Sequence, residues 1–307
     1  MDKKRVLIIK SGENDFEKFY NNEIIKSGYD LILHNDFRNA IPNKRIHNFK
    51  EYIKCMIKKP MILKKKYDLI IVFEDILSVK ILEKHIKDNT KIILWNWNIK
   101  NDRQAKQENR LKKFCEIWTF DKNNAEKYGW NLNVQFYFEN KLDEEYSSLL
   151  NKSVFCICLD KGRYRIMKEL HRKLIDLGVK CDFMCIMDKQ SCNYDSEDKA
   201  WLSNEYVSYY DIMHKVKEAT CIVDIVQEGQ EGITIRALEA LFYNKKLITN
   251  NSSIKYYELY NENNIYILNE NNKYSLKEFL KINNEIISED IKRKYTFENW
   301  MNNFRRS

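Results

Sequence analysis

The sequence of 307 residues contains no long hydrophobic run. A helix that crosses a membrane needs about 18 to 20 consecutive apolar residues, and nothing in this chain approaches that length. The charged start, Met1–Lys4, leads directly into an apolar strand of about six residues, which is too short for the hydrophobic core of a signal peptide. We therefore expect a cytoplasmic protein.

The sequence also lacks the repeated Cys and His spacing of a zinc site. Of the eight cysteines, Cys156 and Cys158 alternate in one apolar run, Cys181 and Cys185 flank another, and no second pair follows at zinc-ligand spacing. We expect buried, reduced thiols and predict neither a metal site nor a disulfide framework. The scarcity of proline and glycine, with two and seven residues respectively, carries no functional inference.

Positive charge is concentrated in one segment of the chain. The total of 53 Lys plus Arg against 45 Asp plus Glu gives a net charge of +8, which is too mild an excess to indicate nucleic-acid binding. Between Arg38 and Lys66, however, ten residues are basic and Glu51 alone is acidic. Segment 44–66 also has an apolar stripe at helical spacing, so it predicts either a helix on an anionic membrane surface or a solvated helix packed on the core.

Two domains are predicted from the length and from the order of the apolar segments. Short apolar runs rich in β-branched residues alternate with amphipathic stretches, which is the pattern of βα units with a parallel sheet. We predict an N-terminal domain at 1–145, a C-terminal domain at 150–287 and a helical segment at 288–307, placed to pack back on the N-terminal domain. The polar, acidic stretch Glu139–Lys152 is the predicted linker.

The predicted fold class is α/β, with two Rossmann-like, doubly wound parallel-sheet domains facing a central cleft. The first series of strands runs from 5–9 to a last strand at 133–138, and the second from 153–159 to 264–268. In such sheets ligands bind at the carboxyl ends of the strands. The loops that follow the strands are therefore the places to look for chemistry.

The richest of these loops lies between a predicted strand at 220–226 and a predicted helix at 234–243. A glycine-containing loop that leads into a helix N-terminus offers backbone N–H groups and a positive dipole end, which suit a diphosphate. Thr234 and Arg236 fall in the first helical turn, and Glu239 lies one turn further, within reach of a ribose diol. A capped helix start with an ordinary surface glutamate accounts for the pattern equally well.

This stretch resembles the C-terminal-domain signature of GT-B glycosyltransferases, in which two glutamates eight positions apart flank a glycine before a helix. Glu231 and Glu239 have that spacing, and the resemblance implies that Glu231 contacts the donor sugar and Glu239 the ribose. The run 245–251 is similar to a branch of capsule and lipopolysaccharide transferases. In that branch the pattern is defined more by the residue types found here at Gln230, Gly232, Thr234, Arg236 and Glu239 than by an acid at position 231.

Two further stretches resemble the same transferases. Residues 154–165 form a predicted strand, a short glycine loop and a basic helix start, in which Gly162 permits close backbone approach and Arg163 offers a bidentate fork for the donor diphosphate. An ordinary βα turn is the alternative. Residues 117–129 resemble a "TFD-x-x-D-A-x-x-Y-G" stretch, with Asn124 where that pattern has an acid. Asp121 and Gly129 are expected to cap a helix, and a role in the cleft is the alternative.

Candidates for a catalytic base lie at strand ends of the first domain. Glu74 and Asp75 follow a buried strand, where a carboxylate could deprotonate an acceptor hydroxyl, and Asp15 lies in an early helix. Glu13 and His34 are rivals. Trp95 and Trp97 follow the next strand and could stack on an acceptor sugar, or simply pack against the strand end.

Together these features predict a glycosyltransferase that moves a sugar from a nucleoside-diphosphate sugar to a surface-glycan acceptor of a capsule, lipopolysaccharide or exopolysaccharide. No Asp-x-Asp pair ends a predicted strand, so we expect metal-independent transfer without a cofactor, in which helix dipoles and basic side chains stabilise the leaving diphosphate. The expected partners are the donor and a glycan or lipid-linked acceptor, with 44–66 touching the inner face of the cell membrane, and no nucleic acid. A sugar-nucleotide epimerase and a non-enzymatic nucleotide-sugar binding protein are the alternatives.

Overall fold

A computed structural model describes residues 3–39, 61–86, 88–139, 153–188 and 194–306 of the chain. The chain divides into two compact units, unit 1 at Met1–Asn133 and unit 2 at Val134–Ser307. The predicted linker lies outside the described residues except for Glu139, and so does the basic segment 44–66 except for 61–66. The boundaries at 145, 150 and 287 therefore stay predictions.

Unit 1 is built on a parallel sheet with the strand order β2-β1-β3-β4-β5-β6. Its strands are β1 (Val6–Lys10), β2 (Asp30–Leu33), β3 (Leu69–Phe73), β4 (Lys91–Asn96), β5 (Glu116–Thr119) and β6 (Asn131–Leu132). Its α-helices are α1 (Asp15–Lys26), α2 (His34–Asn39), α3 (Ile76–His85), α4 (Asp102–Glu108) and α5 (Lys122–Tyr128).

The central strands of unit 1 are continuous apolar runs because helices cover both faces of the sheet. Every residue of β1 and of β3 is buried. Four of these helices begin at a side chain that satisfies an orphan backbone N–H: Asn14 for α1, Asp75 for α3, Asn101 for α4 and Asp121 for α5. These caps place the loops after the strands in defined positions at one edge of the sheet.

Unit 2 is built on a second parallel sheet with the order β11-β10-β9-β7-β8. Its strands are β7 (Ser153–Leu159), β8 (Lys180–Ile186), β9 (Cys221–Asp224), β10 (Lys246–Thr249) and β11 (Ile265–Ile267). Its α-helices are α6 (Tyr164–Asp176), α7 (Ser196–Trp201), α8 (Tyr209–Glu218), α9 (Ile235–Phe242), α10 (Leu276–Phe279), α11 (Glu289–Lys294) and α12 (Phe297–Arg306).

The predicted strand at 133–138 differs from the structure. The pairing with β5 ends at Leu132, and the chain then makes an isolated parallel bridge from Tyr137 to Thr296. Phe136 packs on Trp300 of α12, with 4.5 Å between the ring centroids. The apolar character that predicted a strand instead serves to bury α12 against an extended segment.

Two doubly wound parallel sheets confirm the predicted fold class. In each sheet the chain reverses direction of winding once, between β1 and β3 in unit 1 and between β7 and β9 in unit 2. Ligands of open α/β sheets bind outside the carboxyl ends of the strands at such a switch point. The two switch points are therefore where functional side chains are sought.

Candidate functional site

The switch point of unit 2 brings together the two glycine loops that were singled out in the sequence. One loop follows β7 and the other follows β9, and the Arg163 guanidinium joins them. Its Nη1 donates to the carbonyl oxygen of Ile225 at 2.9 Å, and its Nε donates to the carbonyl oxygen of Asp160 at 3.1 Å. The guanidinium N–H groups of Arg163 thus donate to carbonyl oxygens of both loops and fix the distance between the loops.

Both loops turn through left-handed backbone beside open space. Gly162 has φ +82° and Gly229 has φ +78°, a region that residues with a side chain rarely adopt. Among the described residues, no heavy atom beyond the neighbouring residues lies within 4 Å of the place a Cβ would take at either glycine. A ligand can therefore approach the main chain of both loops closely.

Helix α9 starts at this edge, and Thr234 fixes its first turn. The Thr234 Oγ1 accepts from the Ala237 N–H at 3.0 Å and donates to Asp224 Oδ2 at 2.7 Å. Burial raises the pKa of Asp224, against the hydrogen bond from Thr234 and the positive charge of Arg236. The helix N-terminus, with its partial positive charge, is thereby held over the end of β9.

Arg236 and Glu239 form an ion pair inside unit 2. The Glu239 side chain is completely buried, and its Oε1 also accepts from the Tyr209 hydroxyl at 3.2 Å. Burial raises the pKa of Glu239, and the Arg236 charge opposes that rise. In this arrangement Glu239 faces the protein and holds Arg236, whose guanidinium lies 5.7 Å from the centroid of the Phe155 ring.

The loop that contains Gln230, Glu231 and Gly232 is anchored by two asparagines that follow β10. Asn251 Nδ2 donates to the carbonyl oxygens of Glu231 and Gly232, at 3.3 Å each. Asn250 Oδ1 accepts from the Val226 N–H at 2.7 Å, and Asn250 Nδ2 donates to the Val226 carbonyl oxygen at 3.2 Å. The loop therefore has a defined course although it lacks regular secondary structure.

All the predicted donor-binding residues thus lie on the two loops and the helix start at one edge of unit 2. The sequence did not lead us to Asp224 and Asn251. Asp224 accepts a hydrogen bond from Thr234, and Asn251 donates to the loop after β9. Asp224 stands as a single carboxylate at the end of an apolar strand, a signal that could have been used. Asn251 lay within a run noted for its resemblance, but nothing in the sequence assigns it to the loop it holds.

The switch point of unit 1 contains a buried lysine that the sequence reasoning also missed. Lys10 ends β1 and forms an ion pair with Glu17. Its Nζ lies 5.1 Å from the Trp97 ring centroid and 5.5 Å from that of Phe73. Burial lowers the pKa of Lys10 to about 7, against the attraction of the Glu74 charge. The sequence could have indicated this residue, because Lys10 is a single lysine at the end of an otherwise apolar strand.

Glu74 lies beside this lysine in a strained backbone position. Its φ is +56°, which is uncommon for a residue with a side chain. Its Oε1 accepts from the Asn98 N–H at 2.7 Å and lies 3.0 Å from the Lys100 Nζ, and its Oε2 accepts from Asn98 Nδ2 at 2.9 Å. The carboxylate keeps 28% of its side-chain surface exposed, so it is held in place and still reachable.

Asp75, the neighbouring candidate, serves as the N-cap of α3. Its oxygens accept from the Leu77 and Ser78 N–H groups and from the Arg38 Nε at 2.9 Å. Burial acts to raise the pKa of Asp75, but the hydrogen bonds from Arg38 and Ser78 outweigh it and leave the pKa below its usual value. A carboxylate in this position is a weak proton acceptor.

The remaining base candidates differ in exposure. Asp15 lies in the first turn of α1, with 41% of its side chain exposed and Lys18 at 3.4 Å. His34 begins α2, and its Nε2 is buried with no hydrogen-bond partner among the residues that the structure describes. Burial lowers the pKa of His34, although the Asp75 charge opposes that shift. The imidazole is therefore mainly neutral at neutral pH.

The stretch 117–129 has the capping role predicted for it. Asp121 accepts from the Asn124 N–H at 2.9 Å at the start of α5, and Gly129 ends the helix with φ +65°. Asn124 Oδ1 in turn accepts from the Lys100 N–H at 2.6 Å. The motif therefore braces the loop that carries Lys100, next to Glu74.

Two searches of the described residues complete the description of the sites. No group of three or more His, Cys, Asp or Glu side chains is placed to hold a metal ion in that part of the chain. Within the same ranges, every helix is too short or too polar to cross a membrane.

Comparison with known proteins identifies similar structures but no similar sequences. No protein-family model matches the chain, and no curated protein matches it in sequence. A glycosyltransferase from Rickettsia africae ESF-5 is 13% identical, with a TM-score of 0.51 over 99% of this chain and 97% of that one. An alpha1,3-fucosyltransferase (11% identity, TM-score 0.45, 99% of this chain and 82% of that one) and the glycosyltransferase SnogD from Streptomyces nogalater (9%, 0.42, 99% and 100%) also match. The first likeness shows that this chain has the GT-B fold.

Proposed function

We propose that this chain is a GT-B glycosyltransferase that moves a sugar from a nucleoside-diphosphate sugar to a glycan or lipid-linked acceptor. The observation that carries the proposal is the convergence of the Gly162 loop, the Gly229 loop and the start of α9 at one switch point. Such an edge combines exposed main chain and a helix N-terminus with Arg236 in its wall, a combination that suits a diphosphate.

Within this proposal, the donor diphosphate lies against Gly162 and the first turn of α9. Thr234 and Asp224 keep that turn in place, and Arg236 supplies positive charge from the wall of the site. Glu239 acts through Arg236 and Tyr209, while Gln230, Glu231 and Gly232 border the sugar. Fixed dipoles and charges of this kind stabilise a leaving diphosphate without reorganisation during the reaction.

We further propose that Glu74 is the general base. It lies at the switch point of unit 1, is held by Asn98 and Lys100, and remains partly exposed. Asp75 and Asp15 fit the role less well, because Asp75 accepts the capping hydrogen bonds at the start of α3 and Asp15 lies in the first turn of α1 with 41% of its side chain exposed. Glu74→Gln should lower kcat by at least about 100-fold, the usual effect of losing a general base, with little change in donor affinity.

The donor assignment is tested by a thermal-shift screen against uridine, guanosine, cytidine and thymidine diphosphates. A nucleotide that binds only the native protein raises the melting temperature, and a concentration of 100 Kd stabilises by about 2.7 kcal/mol. Stabilisation by one of the four would support the proposal. If none of them stabilises the protein, or if nucleotide sugar is epimerised without acceptor, the transferase assignment fails.

Metal independence, a surface-glycan acceptor and membrane contact through 44–66 belong to the same proposal. The supporting features are the absence of an Asp-x-Asp pair at a strand end and the ten basic residues between Arg38 and Lys66. Transfer should continue in the presence of a chelator. Loss of turnover with chelator and its restoration by magnesium or manganese would overturn this part.

A further inference from the structure

A second concave site lies at the opposite edge of the unit 2 sheet from the glycine loops. It is a pocket of about 800 Å³ at the amino ends of the strands, lined by Val154 of β7, Lys180 of β8 and Lys246 of β10. The turn before β8 and the segment that follows α10 form the rest of its wall. It shares no residue with the proposed donor site.

The lining of this pocket, which we call the lysine pocket, is strongly positive. It contains Lys180, Lys245, Lys246, Lys277 and Lys281, and none of the described residues that line it is an aspartate or a glutamate. In a chain with 45 acidic residues, a concave surface lined by five lysines is a local concentration of positive charge. Concave walls focus such a field and concentrate anions.

Two of these lysines, Lys245 and Lys246, are set into the wall and donate to carbonyl oxygens. Lys246 is buried, and its Nζ donates to the Asn263 carbonyl oxygen at 2.9 Å and lies 4.4 Å from the Phe279 ring centroid. Lys245 donates to the Lys217 carbonyl oxygen. Burial lowers the pKa of Lys245 to about 8 and lowers that of Lys246 as well.

Lys277 and Lys281 form the exposed rim of the lysine pocket. Across the described residues, no carboxylate lies within ion-pair distance of Lys277 or Lys281, whereas nearby Lys273 pairs with Glu262 at 2.5 Å. Lys255 of the same unit likewise pairs with Glu270, at 3.1 Å. A bound anion would supply the counter-charge that Lys277 and Lys281 lack among the described residues.

We propose that the lysine pocket binds a ligand with clustered phosphate groups, at a site separate from the donor site. Lysine ammonium groups act as compact point charges for phosphate oxygens, and Asn244, Asn283 and Asn284 on the same wall can donate to further oxygens. The phosphates come either from a soluble phosphoanion or from the headgroups of an anionic lipid surface, and the test distinguishes these sources. The proposal stands independently of the transferase assignment.

The site-resolved test is lysine acetylation by an N-hydroxysuccinimide ester, followed by peptide mass spectrometry, with and without inorganic pyrophosphate. Acetylation of Lys277 and Lys281 should slow by about tenfold, because each would lie in a phosphate contact. Lys80 and Lys199, two exposed lysines outside the pocket, are the internal controls and should react at an unchanged rate. Because each lysine is read separately, pyrophosphate that occupies the donor site does not confuse the result.

The source of the phosphate is decided with vesicles of phosphatidylcholine with and without phosphatidylglycerol. The variant Lys277→Gln/Lys281→Gln is compared with Lys80→Gln/Lys199→Gln, which removes the same charge elsewhere. Protection by pyrophosphate, or sedimentation with anionic vesicles that only the pocket variant loses, supports the proposal and names the source. If pyrophosphate gives no protection and both variants sediment alike, the lysine pocket is not a phosphate site.

Discussion

The buried ion pair between Arg236 and Glu239 makes a prediction that separates two roles for Glu239. Removal of one partner of a buried pair costs about 3–5 kcal/mol, because the other charge stays in the protein without compensation. In the Arg236→Met variant the lone charge is Glu239, whose side chain is fully buried. The carboxyl group escapes that penalty by taking up a proton.

The sign of the pH dependence follows from this protonation. A buried, unpaired Glu239 has a pKa raised further above its unfolded value of about 4.3, so the variant is least affected near pH 4 and loses stability as pH rises. The slope is about 1.4 kcal/mol per pH unit for one proton, which gives a difference of about 2.7 kcal/mol between pH 5 and pH 7. Urea unfolding of wild type and variant at several pH values measures it.

A matched control is the exposed pair of Arg293 and Asp290, whose side chains are 74% and 83% exposed. Arg293→Met should cost less than about 1 kcal/mol, with no added pH dependence over this range. Glu239→Gln should destabilise by about 3 kcal/mol, and the double variant Arg236→Met/Glu239→Gln by less than the sum of the single variants, because neither charge is then left alone.

The reasoning would be refuted if Arg236→Met and Arg293→Met gave parallel pH profiles. A Glu239→Gln variant that keeps its stability but binds nucleoside diphosphate much more weakly would also refute it. Glu239 would then be a direct ligand contact, as its spacing from Glu231 suggested. Stability and affinity must therefore be measured on the same preparations.

Three further predictions concern single side chains. Burial holds the pKa of Lys10 at about 7, so stability should rise by up to about 1.4 kcal/mol per pH unit between pH 7 and 10 as the folded state loses its proton first, and Lys10→Met should abolish this rise in urea unfolding. Gly162→Ala and Gly28→Ala, both at positive φ and both with room for the added methyl group, should each cost about 1–2 kcal/mol in thermal unfolding, but only the first should weaken nucleotide binding. Asn251→Ala removes both bonds to the Gln230–Gly232 loop and should weaken nucleotide binding about tenfold in calorimetry, whereas unchanged affinity would show that the loop needs no such anchor.

The two sheets were predictable because their central strands are buried on both faces. The runs that became β1, β3 and β9 are apolar except for Lys10 and Asp224 at the ends of β1 and β9, and periodicity separates them from the amphipathic helices between them. The stretch 133–138 was predicted as a strand, and the structure gives it only an isolated bridge at Tyr137. Its aromatic residues pack on α12, which lies more than 150 residues later in sequence, and local pattern has no access to such a contact.

The candidate site could be predicted in position but not in the direction of its side chains. Thr234, Gly162 and Asp121 follow local rules of capping and turn geometry, which the sequence states directly. Glu239 obeys no such rule. Its burial follows from a helix whose residues from Ala237 to Phe242 are all covered, and that depends on how much of α9 the rest of unit 2 encloses.

The contacts that hold the loop after β9 have a consequence for how its recognition can change. Arg163, Asn250 and Asn251 all grip main-chain atoms of that loop, at Ile225, Val226, Glu231 and Gly232. Because these contacts are made to main-chain atoms, the side chain of Glu231, which is only partly buried, can be exchanged without removing them, whereas Ile225 and Val226 are buried in the core. Substitutions of partly exposed side chains in this loop can therefore change ligand preference while the main-chain contacts keep the course of the loop, both in evolution and in protein engineering.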